Sequence, residues 1–212
     1  MTIKISAEVG SVHDGSIGNA KKLCEISKNI GADIVKFQTH IAETETLINA
    51  PMPPAFKGEP RFQYFKRTGF EYNQWKEIYD HCTELGIEFQ SSPFSIESLE
   101  LLIKLGVKSV KIPSGEVTNI PFLEFISETN LDVIISSGMS SWEELDDAIE
   151  ILKRNKGKIT ILQCTSEYPL ESERVGLNNI KLLKDRYECD VGFSDHTPEI
   201  YASLAAVSLG AT

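Results

Sequence analysis

The chain has 212 residues, 41% of them hydrophobic and 25% charged, a globular composition that excludes a disordered chain and allows a sizeable core in one domain or two. No window approaches the roughly 18 apolar residues of a spanning helix, and MTIKISAEVG lacks the basic-then-apolar order of a secretory signal, so a protein of the cytoplasm without a membrane span is expected. The 31 acids and 21 bases give a net charge of −10, which argues against a nucleic-acid backbone binder but not against a small anionic substrate held by a few buried bases.

Short runs rich in β-branched residues alternate with helical patterns along the whole chain. Strands are predicted at Ile3–Val9, Ile34–Thr39, Glu88–Pro93, Ser109–Pro113, Val133–Ser137, Ile159–Cys164 and Asp190–Ser194. After the first, Ile17, Ala20, Leu23, Cys24 and Ile30 form a helical stripe. The second and third strand starts lie 54 residues apart, and the interval holds Asn49–Thr68, with PMPP and KGEPR and no clear periodicity. It reads as an inserted loop of the kind that often carries specificity. Ile78, Cys82 and Leu85 form the next stripe, then Leu99, Leu102 and Ile103. Ser141-Trp142-Glu143-Glu144 has capping-box spacing, and Thr197-Pro198 reads as a helix start.

Serial βα units predict a parallel sheet, and their short, regular spacing fits a (β/α) barrel of the TIM type better than a doubly wound sheet. Ile30-Gly31, Leu85-Gly86 and Leu105-Gly106 each precede a strand, which suits a left-handed glycine ending a helix. The same phrase recurs at Leu209-Gly210-Ala211-Thr212. The chain therefore reads as one α/β domain over residues 1–212, a TIM-type barrel truncated before an eighth strand. A natural seven-unit or open α/β fold is the alternative.

Barrel chemistry sits at the carboxyl ends of the strands. Here the first strand ends near Glu8, the second carries Lys36 and Gln38, and the third ends in Ser91-Ser92-Pro93. The fourth gives Lys111 to Glu116, the fifth Ser136-Ser137-Gly138, the sixth Gln163 to Tyr168, and the seventh Ser194 to Thr197. Lys36 and Lys111 lie in otherwise apolar strands, where lysine is rarely found unpaired. They either form ion pairs with Glu8 or Glu116, or face a phosphate or carboxylate. Ser92, Ser114, Ser137 and Ser194 could then donate to the same anion, the lysines acting as point charges. Glu8 and Glu116 are candidates for acid–base work or for binding a sugar hydroxyl, and equally for partnering a lysine.

A lone His196 is more often a hydrogen-bonded residue than a metal ligand. His13 leads a tight turn on the catalytic face, with a less certain role. Tyr168 could contact a sugar or anchor a loop. Cys24, Cys82, Cys164 and Cys189 are widely spaced without CxxC, as for reduced thiols, and Cys164 reads as packing.

AEVGSVHDGS, GADIVKFQT, SSPFS, KIPSGE, ISSGMS, QCTSEYP and GFSDHT stand in this order from the first strand to the last. Together they resemble the sialic acid synthase family, which condenses phosphoenolpyruvate with an N-acylated sugar such as N-acetylmannosamine. The resemblance implies phosphoenolpyruvate held by Lys36, Ser92, Lys111, Ser114, Ser137, Ser166 and Ser194. Ser92 and Ser166 stand where some members carry threonine and asparagine. It implies Gln38, Glu116 and Tyr168 facing the sugar, and Glu8 near the reacting carbons. His196 matches one of two histidines for a divalent metal, Mn2+ or Mg2+. The family's second metal histidine belongs to an eighth strand. Its small antifreeze-like domain reaches across a homodimer to the partner's site. Neither motif occurs here, so little activity is expected of these 212 residues alone.

Two rivals remain at this point. A sugar-phosphate synthase of similar fold needs a second phosphate site, and none of Arg61, Arg67, Arg154, Arg174 and Arg186 lies in a strand-end motif. A barrel fragment or subunit could also bind phosphoenolpyruvate without turnover.

Overall fold

The computed structural model describes residues 3–51 and 58–212. Residues 52–57, with most of PMPP and the lysine that opens KGEPR, lie outside them. The chain forms two compact units, Lys4–Val107 and Lys108–Thr212.

The first unit holds β1 (Ser6–Gly10), α1 (Ile17–Asn29), β2 (Ile34–Thr39), α2 (Ala42–Glu45), α3 (Arg61–Thr68), α4 (Tyr72–Leu85), β3 (Glu88–Pro93) and α5 (Ile96–Leu105). Its strands pair in parallel, β1 with β2 and β2 with β3. Alternation sorts β2 into two faces. Phe37 goes to the helix side, where its ring lies 5.7 Å from Trp75 of α4 and 5.6 Å from Phe89 of β3. Lys36 and Gln38 therefore share the opposite face, in register with Gln90 and Ser92.

The second unit holds β4 (Ser109–Ile112), α6 (Ile120–Ser127), β5 (Asp132–Ser136), α7 (Trp142–Leu152), β6 (Ile159–Cys164), α8 (Asn179–Tyr187), β7 (Asp190–Ser194) and α9 (Tyr201–Ser208). Its strands are also parallel, in the order β4, β5, β6, β7. Val110, Ile112, Val133, Ile135, Ile161 and Val191 are fully buried. The alternate positions Lys111, Cys164 and Ser194 fall on the other face, Cys164 and Ser194 as register partners. Ser141 and Glu144 make the predicted capping box on α7. Gly86 and Gly106 end their helices left-handed, with φ of 66° and 84°.

Five elements differ from the sequence reading. β1 starts at Ser6 rather than Ile3, because Ile5 is 62% exposed and not part of a buried run. The strands near Ser109 and Val133 shift by one residue, to Ser109–Ile112 and Asp132–Ser136. The proposed insertion contains α3, whose cations lie over ring faces at helical spacing: Arg61 over Phe65, Lys66 over Phe62, Arg67 over Tyr64. Thr197-Pro198 does not start a helix. The Asp195 carboxylate accepts from both the Thr197 amide and its hydroxyl, which fixes a turn, and α9 begins at Tyr201.

His13 also belongs to the core rather than to an open catalytic face. It is 1% exposed and stacks on Phe70 at 4.6 Å, and its Nδ1 accepts from the Gly15 amide. Burial lowers its pKa from 6.5 to about 4, against the opposing pull of Asp14. The unfolded chain thus binds the extra proton first. Stability from the neutral ring is complete above pH 6.5 and is lost as pH falls towards 4. The expected loss is roughly 2 kcal/mol, discounted from the full shift for partial solvation. His13→Phe keeps the stack and removes the proton. Its thermal midpoint should fall less than that of the wild type between pH 7 and pH 4, and parallel curves would refute this.

Candidate active site

In the first unit, register places Glu8 beside Lys36, and the two form an ion pair. Lys36 is buried and Glu8 half-exposed. The ion-pair option for Lys36 is thus realised. Gln38 lies one alternation further along β2. Its Oε1 accepts from the Ser11 hydroxyl at 3.4 Å and lies 3.2 Å from His40 Nε2. A Cβ on Gly10 would sit 3.3 Å from Glu8 Oε1 and 3.6 Å from the Gln38 carboxamide carbon. Gly10, at φ 54°, thus keeps this strand end open beside both groups. Ser92, the register partner of Gln38, is buried.

In the second unit, Lys111 differs from Lys36. Among the described residues it has no carboxylate partner, since Glu116 accepts instead from Asn119 Nδ2 at 2.7 Å. Burial lowers its pKa, and the nearby Cys164 sulfur opposes that shift weakly. A desolvated lysine without a counter-charge is poised for an anion.

Beside it the strand ends supply hydroxyls. The Ser114 and Ser166 oxygens lie 3.7 and 4.0 Å from Cys164 Sγ. A Cβ on Gly138 would sit 2.5 Å from Ser166 Oγ, 2.7 Å from Ser114 Oγ and 3.0 Å from Cys164 Sγ. Three polar side chains thus close around a position that only glycine leaves empty. Ser137 follows β5 directly and gives its amide to the Leu162 carbonyl. The buried Ser136 hydroxyl has no partner among the described residues.

His196 Nδ1 lies 2.8 Å from the Thr165 carbonyl, which accepts a hydrogen bond from that N–H. Nε2 is then the lone-pair nitrogen, 3.0 Å from the exposed Tyr168 hydroxyl. A ring oriented in this way suits a metal ligand. Among the described residues no group of three or more His, Cys, Asp or Glu gathers to hold a metal. His196 fits as a single ligand whose other positions would need oxygen from substrate or water.

Sequence reading singled out Lys111, Ser114, Ser166 and His196. It missed Gly138 as the centre of the cradle, read Cys164 as packing only, and passed over His40. Glycine in SSG was the available signal for the first. His40 had none, because the rings that clamp it, Phe65 and Phe94, come from distant positions.

The chain matches the NeuB family over residues 23–212. It is 41% identical to the N,N'-diacetyllegionaminic acid synthase of Campylobacter jejuni, over 98% of this chain and 64% of that protein. It is 38% identical to the enzyme of that name from Legionella pneumophila, over 100% of this chain and 62% of that protein. The chain thus spans less than two thirds of the length of these relatives. The N-acetylneuraminic acid (sialic acid) synthetase of Leptospira borgpetersenii, a crystal structure, is similar with a TM-score of 0.88 at 29% identity, over 100% of this chain and 71% of that one. The fold is accordingly the (β/α) type of TIM barrels. On a match that runs from α1 through the last strand-end motif, the chain belongs to the NeuB family.

Proposed function

We propose that the protein condenses phosphoenolpyruvate with an N-acylated amino sugar, giving a nonulosonate and inorganic phosphate. One observation carries the reading: the hydroxyl cradle around Gly138 beside a desolvated lysine without a counter-charge. The names of the two relatives above, both N,N'-diacetyllegionaminic acid synthases, support it.

In this reading Lys111, Ser114, Ser137, Ser166 and Ser194 hold the phosphate and carboxylate of phosphoenolpyruvate from the second unit. By the resemblance, Lys36 and Ser92 bind phosphoenolpyruvate as well. Gln38, Glu116 and Tyr168 contact the sugar. C3 of phosphoenolpyruvate bonds to the aldehyde carbon of the sugar, and water adds to the cation left at C2. Glu8 or Glu116 takes the proton from that water. The C2–O bond then breaks, phosphate leaves with the bridging oxygen and takes the C2 hydroxyl proton as C2 becomes a ketone, and the former aldehyde oxygen takes the proton held by the carboxylate. Lysine charge favours the anion's departure. A divalent cation with His196 as one ligand, manganese or magnesium, would polarise the aldehyde. By the resemblance alone, the protein works as a homodimer in the cytoplasm.

The test is phosphoenolpyruvate labelled with 18O at the bridging position, offered to the intact protein with manganese and a panel of sugars. The panel holds N-acetylmannosamine, its phosphate ester and diacetamido sugars. Sugar-dependent release of phosphate that keeps the label is expected. Binding without release would favour a non-catalytic subunit. Intact turnover in Glu116→Gln would assign the proton to Glu8.

A further inference from the structure

Among the described residues of the first unit, His40 and Glu45 are the most enclosed ionisable pair, with side chains 3% and 5% exposed. Neither has a part in the reaction as drawn above. The imidazole is clamped between two rings, Phe65 at 3.9 Å and Phe94 at 4.2 Å, both nearly parallel to it. Its Nδ1 lies 2.7 Å from Glu45 Oε1, and the other oxygen of that carboxylate accepts from the Ile41 amide. Its Nε2 lies 3.2 Å from Gln38 Oε1. Ring position is thus fixed by stacking, and ring rotation by a bond at each nitrogen.

Enclosure of an ionisable pair is expensive and is not needed to fill space, which an apolar side chain does better. The pair does specify direction. Glu45 accepts from Nδ1–H. With a proton on Nε2 the ring also donates to Gln38 Oε1. Ser11 Oγ donates to the same Oε1. Both internal bonds therefore fall on the carbonyl edge of Gln38. The amino edge is left to face the strand end that Gly10 keeps open. A free edge of two N–H donors recognises an acceptor oxygen, such as an acyl carbonyl or a sugar hydroxyl.

We infer that His40 and Glu45 are positioning residues that lock the Gln38 carboxamide with its N–H edge outward, and so set affinity for the acylated sugar. This rests on the synthase reading above. Without the lock, the amide can turn its carbonyl to the ligand and lose the match.

The experiment measures steady-state kinetics of the intact protein with each substrate varied in turn. His40→Phe keeps the ring stack and cuts both bonds. Glu45→Gln keeps a hydrogen-bond acceptor and removes the charge. Each should raise KM for the sugar about tenfold, the worth of one hydrogen bond to a well-placed donor, and leave KM for phosphoenolpyruvate within about twofold. Gln38→Leu should give the same split. Combining it with His40→Phe should add nothing further, because one acts through the other. Additive effects, or an equal rise in both KM values, would overturn the inference. Where His40→Phe fails to fold, Glu45→Gln and its cycle with Gln38→Leu decide by the same criteria. Wild-type protein without sugar-dependent release defeats the synthase reading itself. Wild-type turnover with unchanged sugar KM in the variants defeats this inference alone.

Discussion

Lys111→Met should weaken phosphoenolpyruvate binding by about 10²–10³-fold while leaving the unliganded protein at least as stable as the wild type. The two effects have one cause. Lys111 sits on the interior face of β4 with its charge desolvated and, among the described residues, no carboxylate to meet it. Bringing a phosphate dianion to that charge gains a hydrogen-bonded ion pair that water does not screen well, worth roughly 3–4 kcal/mol when one partner is removed. Methionine keeps the unbranched stem and removes the penalty of a partly desolvated ammonium, so the empty protein loses nothing. A merely structural lysine would behave in the opposite way, because its loss would lower the thermal midpoint and spare binding. The lowered pKa adds a second signature. Wild-type affinity should fall on the alkaline side sooner than an exposed lysine titrates. Calorimetric titration of both proteins across pH, with thermal melts, checks all three points.

Gly138→Ala should cost about 100-fold in affinity for phosphoenolpyruvate and in turnover, with little change in fold. The added methyl would approach the Ser166 and Ser114 oxygens to 2.5 and 2.7 Å and Cys164 Sγ to 3.0 Å. Those distances are well inside contact, so both serines must rotate away. Their hydroxyls then no longer converge, and two or three hydrogen bonds of about 1 kcal/mol each are lost to the ligand. The backbone itself accepts alanine, because Gly138 is not left-handed; the left-handed residue is Met139, at φ 64°. Gly115 is the control. It lies in the neighbouring SGE turn and looks equivalent in sequence, yet a Cβ there meets nothing within 4 Å. Gly115→Ala should leave binding unchanged. Equal losses in both variants would locate the cradle elsewhere.

That contrast marks the limit of what the sequence discloses. Strand positions are legible where the run is short, apolar and bounded by glycine or proline: β2, β3, β6 and β7 begin and end as predicted. So is the polar character of each strand end. Helix α3 is hidden because aromatic–cation pairs replace an apolar stripe. The start of α9 is hidden because a side-chain carboxylate takes the amide that a helix start would leave for capping. Lys36 and Lys111 look alike in IVKFQ and SVKIPS, and only register shows that one is already matched by Glu8. His40 follows Thr39 like any loop residue, and its meaning comes from Phe65 and Phe94, far along the chain.

The most direct test is a crystal structure of the intact protein with phosphoenolpyruvate bound. The account predicts an anionic group of the ligand at Lys111 Nζ and at the Ser114 and Ser166 hydroxyls, in the space beside the Gly138 Cα. Phosphoenolpyruvate bound away from Lys111, with the Gly138 cradle still empty, would contradict it.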